Sequence, residues 1–406
     1  MQLEHLLTED QRQLRQTIRD FTRKEIIPIT KQLEEDYSLV EKVHQKLVDI
    51  GIQASAYPVE YGGGGIHSMT NNAIITEELS KGDAGMALSV GSNMAGAGPA
   101  AAVGNKALLD RFAPLFCQGK LAYGCLSMTD EAGGADTENP LLHGAGIKTI
   151  ARLEGDEYVI NGSKMWPTHG GIAESYITFC TTDPNAGDDG IAMIIVPKDA
   201  PGLSFGKPEK KMLFKTVING SVYYDNVRVP KEYRVAGPGK DAQLCNMLTT
   251  IAGWSGGLHA LGIAERAFEI VLDYTGTRMG GFKPVRQHSI IAGIIADMAI
   301  GIEMMRASLY NLAYIYDHAD IYGPIYGPPW GSQMIAKGAA ARVFAADTAV
   351  EIINKGAELL GSMAISEDFP YEKCLRDVKI CQLWLGGQQI CRYKVAQGYY
   401  DLKNWA

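Results

Sequence analysis

The stretch RDVKICQLWLGGQQICR runs from Arg376 to Arg392, basic and apolar by turns and free of proline. Val378, Cys381, Leu383, Leu385, Ile390 and Cys391 form a helical stripe that breaks at Gly386-Gly387. A helix that ends on paired glycines exposes backbone groups and allows a ligand to approach them closely. The segment reads as a helical run with a ligand-accessible break.

Upstream of it the chain is helical for a long way. SQMIAKGAAARVFAADTAVEIINKGAELLG (332–361), SIIAGIIADMAIGIEMMRASLYNLAYIYDHA (289–319) and LGIAERAFEIVLDYTGTR (261–278) are strong helix candidates. IYGPIYGPPWG (321–331) is expected to be a loop, because its Pro and Gly residues oppose helix. Long apolar helices with short links predict a four-helix bundle over 237–406.

Before the bundle the texture is β. IKTIARLEGDEYVINGSKMW (147–166) is two β-rich runs around Gly155-Asp156, a hairpin signal. ESYITFC, GIAMIIVPKD and GSVYYDNVRVP add further short runs, so 122–236 is predicted to be an antiparallel β domain. Residues 1–121 read as a helical domain. Thr8 can cap a helix over Asp10–Ile27, with Gln11 three residues on, and a second helix runs from about Leu39 to Ile50.

The chain has 406 residues and a net charge of −8, which argues against a nucleic-acid surface. No apolar run reaches the length of a membrane span. The opening MQLEHLLTEDQRQLRQ is acidic and polar, not a signal peptide. Seven cysteines without a CxxC pair read as reduced thiols, and a cytoplasmic location is the expectation.

The central stretch resembles the C-terminal signature of the acyl-CoA dehydrogenase family, in which Arg-Asp-x-Lys-Ile leads into Tyr-Glu-Gly-Thr. Arg376, Asp377, Lys379, Ile380, Gln382, Gly386, Gln389 and Arg392 fall where that family has them. The loop YPVEYGGGGI (57–66), Glu77-Glu78-Leu79 and Gly82 resemble its N-terminal domain. The likeness spans essentially the whole chain. It implies an α+β architecture: N-terminal α-helical domain, middle antiparallel β domain, C-terminal four-helix bundle. It also implies FAD, an acyl-CoA substrate, an electron-transfer flavoprotein as acceptor and a homotetramer built as a dimer of dimers.

A Gly-rich loop after a β run is weak evidence for a flavin by itself. LSMTDEAGGAD (126–136) resembles the family stretch along the flavin ring edge, and there Leu126, Met128, Thr129, Gly134 and Ala135 are the implied cofactor contacts. Backbone N–H groups and a hydroxyl on such a loop can tune the ring as an electron sink. A lone Trp is more often core than wall. Trp166 and Thr168, however, arrive together in the family's Trp-x-Thr order. Arg278 matches the arginine that reaches the FAD pyrophosphate of a neighbouring subunit, a task suited to a guanidinium. Gln389 matches a cofactor-facing glutamine, while Glu358 places a carboxylate where the family has another glutamine.

The departure concerns the base. In the family a carboxylate removes the α-proton of the thioester as hydride leaves the β-carbon, and that group must lie within hydrogen-bond reach. Its two usual positions are Leu385 and Ala252 here, and neither accepts a proton. The Leu385 N–H can still serve the thioester carbonyl, since that role needs only backbone. Three readings follow in order: a dehydrogenase with its base elsewhere; an enoyl-CoA reductase or a decarboxylating or eliminating relative needing no such base; a catalytically silent subunit. A nucleic-acid-associated relative would need a basic stripe. A monooxygenase-type relative would lack CoA affinity. Asp83, Asp130, Glu131 and His259 lie near the right segments, but each reads more simply as structural or solvated.

Gly91, Ala95, Gly96 and Gly98 face AGWSGGLHA (252–260), also mostly small. Gly91, Ala252 and Gly386 are the implied substrate contacts. The small residues permit either close helix packing or a cavity widened for a bulky or cyclic acyl group. Trp254 or Trp384 refilling that space would exclude the second. TENPLLHG (137–144) looks like an insertion bordering the CoA channel.

Overall fold

Thr8 caps the first helix as its sequence predicts. Its Oγ1 accepts from Gln11 N at 3.3 Å, and the Gln11 side chain accepts from Thr8 N at 3.1 Å. The computed structural model describes residues 3–139 and 142–400. Helix α1 (Glu9–Phe21) runs into a π-helical turn, Thr22–Ile26. Helices α2 (Thr30–Glu35), α3 (Tyr37–Asp49), α4 (Met69–Ser80), α5 (Ala84–Asn93), α6 (Gly98–Ala102) and α7 (Lys106–Cys117) follow. Ile18, Val40, Val43, Leu47, Leu79 and Met86 form one buried cluster among α1, α3, α4 and α5.

The middle region holds β1 (Gly124–Ser127), β2 (Ile150–Glu154), β3 (Glu157–Lys164), β4 (Ser175–Thr181), β5 (Ile191–Pro197), β6 (Leu203–Phe205) and β7 (Val222–Pro230). Strands β2 and β3 form the expected hairpin, with Gly155 at φ +64° in its turn. The sheet is mixed where alternation alone predicted antiparallel. β1 runs parallel to β4, and β2 meets β4 in parallel at Ile150 and Thr181. The cause is the excursion between β1 and β2, which carries the chain out of the sheet and back before β2 begins. The remaining pairs, β2–β3, β3–β7, β4–β5 and β6–β7, are antiparallel.

Helix α8 (Lys240–Thr277) is continuous for 38 residues and passes straight through the glycine-rich 252–260 stretch. A short ribbon, β8 (Met279–Gly280) with β9 (Lys283–Pro284), leads to α9 (Ser289–Asp317). Next comes α10 (Ala319–Tyr326), a correction to the loop expected over 321–331. Its Pro324 sits near the end of an eight-residue helix, where the missing donor costs a single ladder bond. Helices α11 (Ser332–Leu360), α12 (Tyr371–Asp377) and α13 (Gly387–Gln397) are the last among the described residues. The long helices α8, α9 and α11 pack mutually, and α13 makes a fourth against α11. Among the described residues no helix is long and apolar enough to cross a membrane.

One buried charge cluster ties the three regions together. The Lys373 ammonium on α12 lies 2.6 Å from Asp377, 2.9 Å from Glu34 of α2 and 3.0 Å from Asp83 at the start of α5. Asp377 accepts from Phe214 N at 2.8 Å, and Asp83 from the Thr216 hydroxyl at 2.6 Å, so the segment after β6 is held as well. Burial alone would expel these ions; mutual pairing keeps them.

Candidate functional site

After β1 the chain must leave the sheet, and Asp130 makes the turn. Its carboxylate accepts from Thr149 N (3.1 Å), Thr149 Oγ1 (2.5 Å) and Lys148 N (2.9 Å), while its carbonyl accepts from Gly133 N and Gly134 N. Lys164, wholly buried on β3, lies 2.9 Å from Asp130 and donates to the Met128 carbonyl at 2.6 Å. Burial pushes the Lys164 ammonium below its ordinary pKa, and the Asp130 carboxylate opposes that shift. The loop carrying Leu126, Met128, Thr129, Gly134 and Ala135 is thus anchored from beneath. Met128 is buried, Leu126 and Thr129 half-buried, and Gly134 and Ala135 exposed.

A second wall is strained. Trp166 and His169 both have positive φ, +65° and +66°, in a turn closed by Asn219, whose amide donates to the Trp166 carbonyl at 2.7 Å. Trp166 is 49% exposed, so the core-burial alternative fails. Thr168 is half-buried and bridges to Asn219. His169 is fixed at both ring nitrogens. Nδ1 donates to the Gly124 carbonyl at 2.8 Å, which leaves Nε2 to accept from the Ser89 hydroxyl at 2.6 Å.

The third wall is the break at 384–387. Leu385 has φ +47°, a left-handed conformation that costs a branched side chain free energy, followed by Gly386 and Gly387 at +77° and +65°. Arg342, buried on α11, holds the turn by donating to the carbonyls of Leu385 (3.1 Å) and Trp384. Leu385, Leu126, Met94 and Leu248 all pack on one apolar cluster, so the structure brings the flavin-edge strand and the base-position turn together.

Helix α8 is the fourth wall, with Ala252 half-buried on it. Its glycines do not widen the pocket. A Cβ on Gly256 would stand 2.7 Å from Trp384 Nε1, and one on Gly96 would stand 1.9 Å from the Phe116 ring. Trp254 is buried in the bundle with Nε1 donating to the Leu309 carbonyl at 3.0 Å. Aromatic rings refill the space, which corrects the widened-cavity expectation for these positions. Gly91 differs: it is exposed on α5, and a Cβ there would meet nothing within 4 Å. We expect Gly256→Ala to displace the indole at a cost of about 1–3 kcal/mol. A urea midpoint and tryptophan emission equal to the parent's would show that Trp384 has room to spare.

Arg278, Glu358 and Gln389 all lie on the exposed surface. Arg278 follows α8, Glu358 sits on α11 and Gln389 on α13. The half-exposed Trp166 face and the Thr129 and Thr168 hydroxyls fit a planar ring system, and Arg278 is a surface cation suited to an anionic group.

The four base candidates are all occupied. Asp83 pairs with Lys373, Asp130 with Lys164, and Glu131 is exposed and accepts from Ser163 at 3.1 Å. His259 meets the Ser80 hydroxyl at 2.9 Å, and burial drives it down to about 3, too weak to keep a proton. Sequence reasoning missed three other buried groups: Arg342, Glu138 and Lys394. Glu138 lies in the 137–144 insertion, of which Pro140 and Leu141 fall outside the described residues. It ends a 3-10 turn, Gly134–Glu138. Its Oε1 accepts from the Thr129 hydroxyl at 3.0 Å, and its Oε2 is buried with no partner among the described residues. With Thr137, Cys245, Asn246, Thr249 and Ile335 it lines a cleft of about 280 Å³ between the loop and the start of α8. Lys394, buried on α13, is close enough for its charge and that of Glu138 to shift one another. A larger groove of about 480 Å³ on the outer side of α11 and α13 has its charges paired, Arg392 with Asp347 at 2.8 Å.

Comparison with known proteins covers nearly all of the chain. Residues 8–120 match the model described as acyl-CoA dehydrogenase, N-terminal domain, 125–227 the middle domain and 254–400 the C-terminal domain. A cyclohexane-1-carbonyl-CoA dehydrogenase of Syntrophus aciditrophicus is 31% identical over 97% of each chain. A cyclohex-1-ene-1-carbonyl-CoA dehydrogenase of Geobacter metallireducens is 30% identical over 95% of this chain and 97% of its own. The solved butyryl-CoA dehydrogenase of Megasphaera elsdenii superposes with a TM-score of 0.85 at 27% identity, over 96% of this chain and 98% of its own.

Proposed function

The chain belongs to the acyl-CoA dehydrogenase family, FAD-dependent oxidoreductases acting on CH–CH groups of CoA thioesters, and from that premise we propose that it desaturates an alicyclic acyl-CoA. The observation that carries the desaturation is the 384–387 turn. Arg342 locks the backbone on the carbonyl side, and among the described residues the Leu385 N–H donates to no backbone carbonyl, so it is fixed in direction for the thioester oxygen. A preorganised donor of that kind stabilises the charge that develops when the α-proton leaves. FAD, when bound, supplies the two-electron acceptor. Thr129 and the 133–136 loop are assigned to its ring edge, Trp166 and Thr168 to its face, and Gln389 and Glu358 to its outer contacts.

The alicyclic substrate rests on the two relatives named for cyclohexane and cyclohexene carbonyl thioesters, not on the glycines. An electron-transfer flavoprotein is the acceptor the family implies. A homotetramer would set Arg278 against a neighbour's cofactor, and the apolar surface around it supports this: Phe282 at φ +67° is fully exposed, and Met279 and Ile290 are exposed nearby. Seven free cysteines, six of them buried, agree with a reducing cytoplasm.

The test is anaerobic. The purified flavoprotein is mixed with straight-chain, branched, dicarboxylic and alicyclic acyl-CoAs while the flavin absorbance is followed. Bleaching by the alicyclic class alone is the expected result. Bleaching by none, with the thioesters still bound, would move the assignment to a reductase, an eliminating enzyme or a silent subunit.

A further inference from the structure

We infer that Glu138 is the catalytic base of this enzyme, taking the α-proton of the bound thioester in place of the carboxylate absent at Leu385 and Ala252. This rests on the dehydrogenase reading above.

Buried carboxylates are expensive unless a cation or several donors satisfy them. Among the described residues, six of the seven obey that rule. Glu77 meets Arg306 at 3.0 Å, Glu78 meets Arg19 at 2.8 Å, and Asp83 meets Lys373 at 3.0 Å. Asp130 meets Lys164 at 2.9 Å, Asp241 meets Arg234 at 2.6 Å, and Asp377 meets Lys373 at 2.6 Å. Glu138 is the exception: within the same set it forms no ion pair, and one of its oxygens has no partner at all.

The buried cations of the described residues give the same answer from the other side. Arg15, Lys81, Lys164 and Arg306 each pair with a carboxylate. Lys394 pairs with none, and Arg342 meets only carbonyls and the Cys391 sulfur. These unpaired groups are neighbours: α13 carries Lys394 and packs on the Gly134–Glu138 turn, and Arg342 reaches Cys391 on the same helix at 3.3 Å. Unbalanced buried charge gathered behind a carboxylate that lines a cleft marks a place built for a reacting ligand rather than for stability.

Position and chemistry agree. Glu138 is tied through Thr129 to the loop assigned to the flavin edge, and Arg342 holds the Leu385 turn assigned to the thioester carbonyl. Burial raises the Glu138 carboxyl above the ordinary range, while Thr129 and Lys394 act to keep it ionised. A carboxylate so placed is a stronger base than an exposed one. In the step, the Cα–H bond breaks and an O–H bond forms on Oε2. The electron pair left on Cα becomes the Cα=Cβ bond as the Cβ hydrogen departs with its own pair to the oxidised flavin. Lys394 is a positioning residue, compensating the Glu138 charge before the transfer.

The test separates proton transfer from oxidation. Dithionite-reduced holoenzyme, which cannot accept hydride, is incubated in D2O with the acyl-CoA that bleaches the oxidised enzyme. Mass spectrometry then follows α-hydrogen exchange. Wild type is expected to exchange. Glu138→Gln is expected to lose about 10²–10⁴-fold in both exchange and flavin reduction, with thioester binding retained. Glu138→Asp keeps a carboxylate and is expected to recover part of both rates, with the rising limb of the pH–rate profile moved. It decides the matter should Glu138→Gln lose flavin. Exchange and bleaching at wild-type rates in Glu138→Gln overturn the assignment while leaving the dehydrogenase reading intact. A wild type that neither bleaches nor exchanges with any thioester overturns both.

Discussion

Lys164→Met is expected to cost about 3–5 kcal/mol and to yield protein that leaves the column pale. The methionine fills much of the same space but leaves Asp130 buried without its cation. Asp130 keeps the Thr149 and Lys148 donors, so the chain still folds. What is lost is the tether from Lys164 to the Met128 carbonyl, and with it the rigidity of the loop assigned to the flavin edge. The ratio of flavin to protein absorbance and the urea midpoint should fall together. Adding Asp130→Asn removes the orphaned charge and should return part of the stability but little of the flavin. A single variant with full flavin and the parental midpoint would show that the buried pair does not hold the loop.

Acidification should weaken the fold well above the carboxylate range. His44, His169 and His259 are buried, and burial lowers them to about 4, 3 and 3. An unfolded histidine titrates near 6.5. As pH falls below that value the unfolded chain takes up protons that the folded chain refuses. The stability these groups permit is therefore full above about 6.5 and declines toward their folded values. Between pH 6.5 and 5 each histidine costs about 1.6 kcal/mol. Glu265, raised to about 7 by burial and by Glu77 beside it, works in the opposite sense and offsets about one of the three. The net expectation is a loss of about 3 kcal/mol, read from urea midpoints at pH 6.5 and 5.0. Equal midpoints would mean that the three rings are protonated in the folded protein.

Local pattern carried most of the architecture. The Thr8 cap, the Gly155-Asp156 hairpin and the apolar helices of the bundle are written in periods of a few residues, and each folds as read. The parallel pairing of β1 with β4 was illegible because it joins segments about 50 positions apart. Pro324 misled in the other direction, since a single proline near a helix end removes little. At the site, Trp166 and Thr168 were visible as a pair and Leu385 as a departure. Glu138, Lys394 and Arg342 were not, because a charged residue in a sequence gives no sign of whether its opposite has been withheld. That Gly256 receives Trp384 was equally hidden, as 128 positions separate them.

The cluster around Lys373 sets a timetable for synthesis. Asp83 and Glu34 emerge from the ribosome early, but the ammonium that neutralises them follows Asp83 by 290 positions. At roughly 5–20 residues per second the wait is about 15–60 s. Through that interval the nascent N-terminal helices carry two carboxylates facing a junction that cannot close. Their final docking, and that of the segment around Phe214 and Thr216, belongs to the last moments of translation or to the time after release.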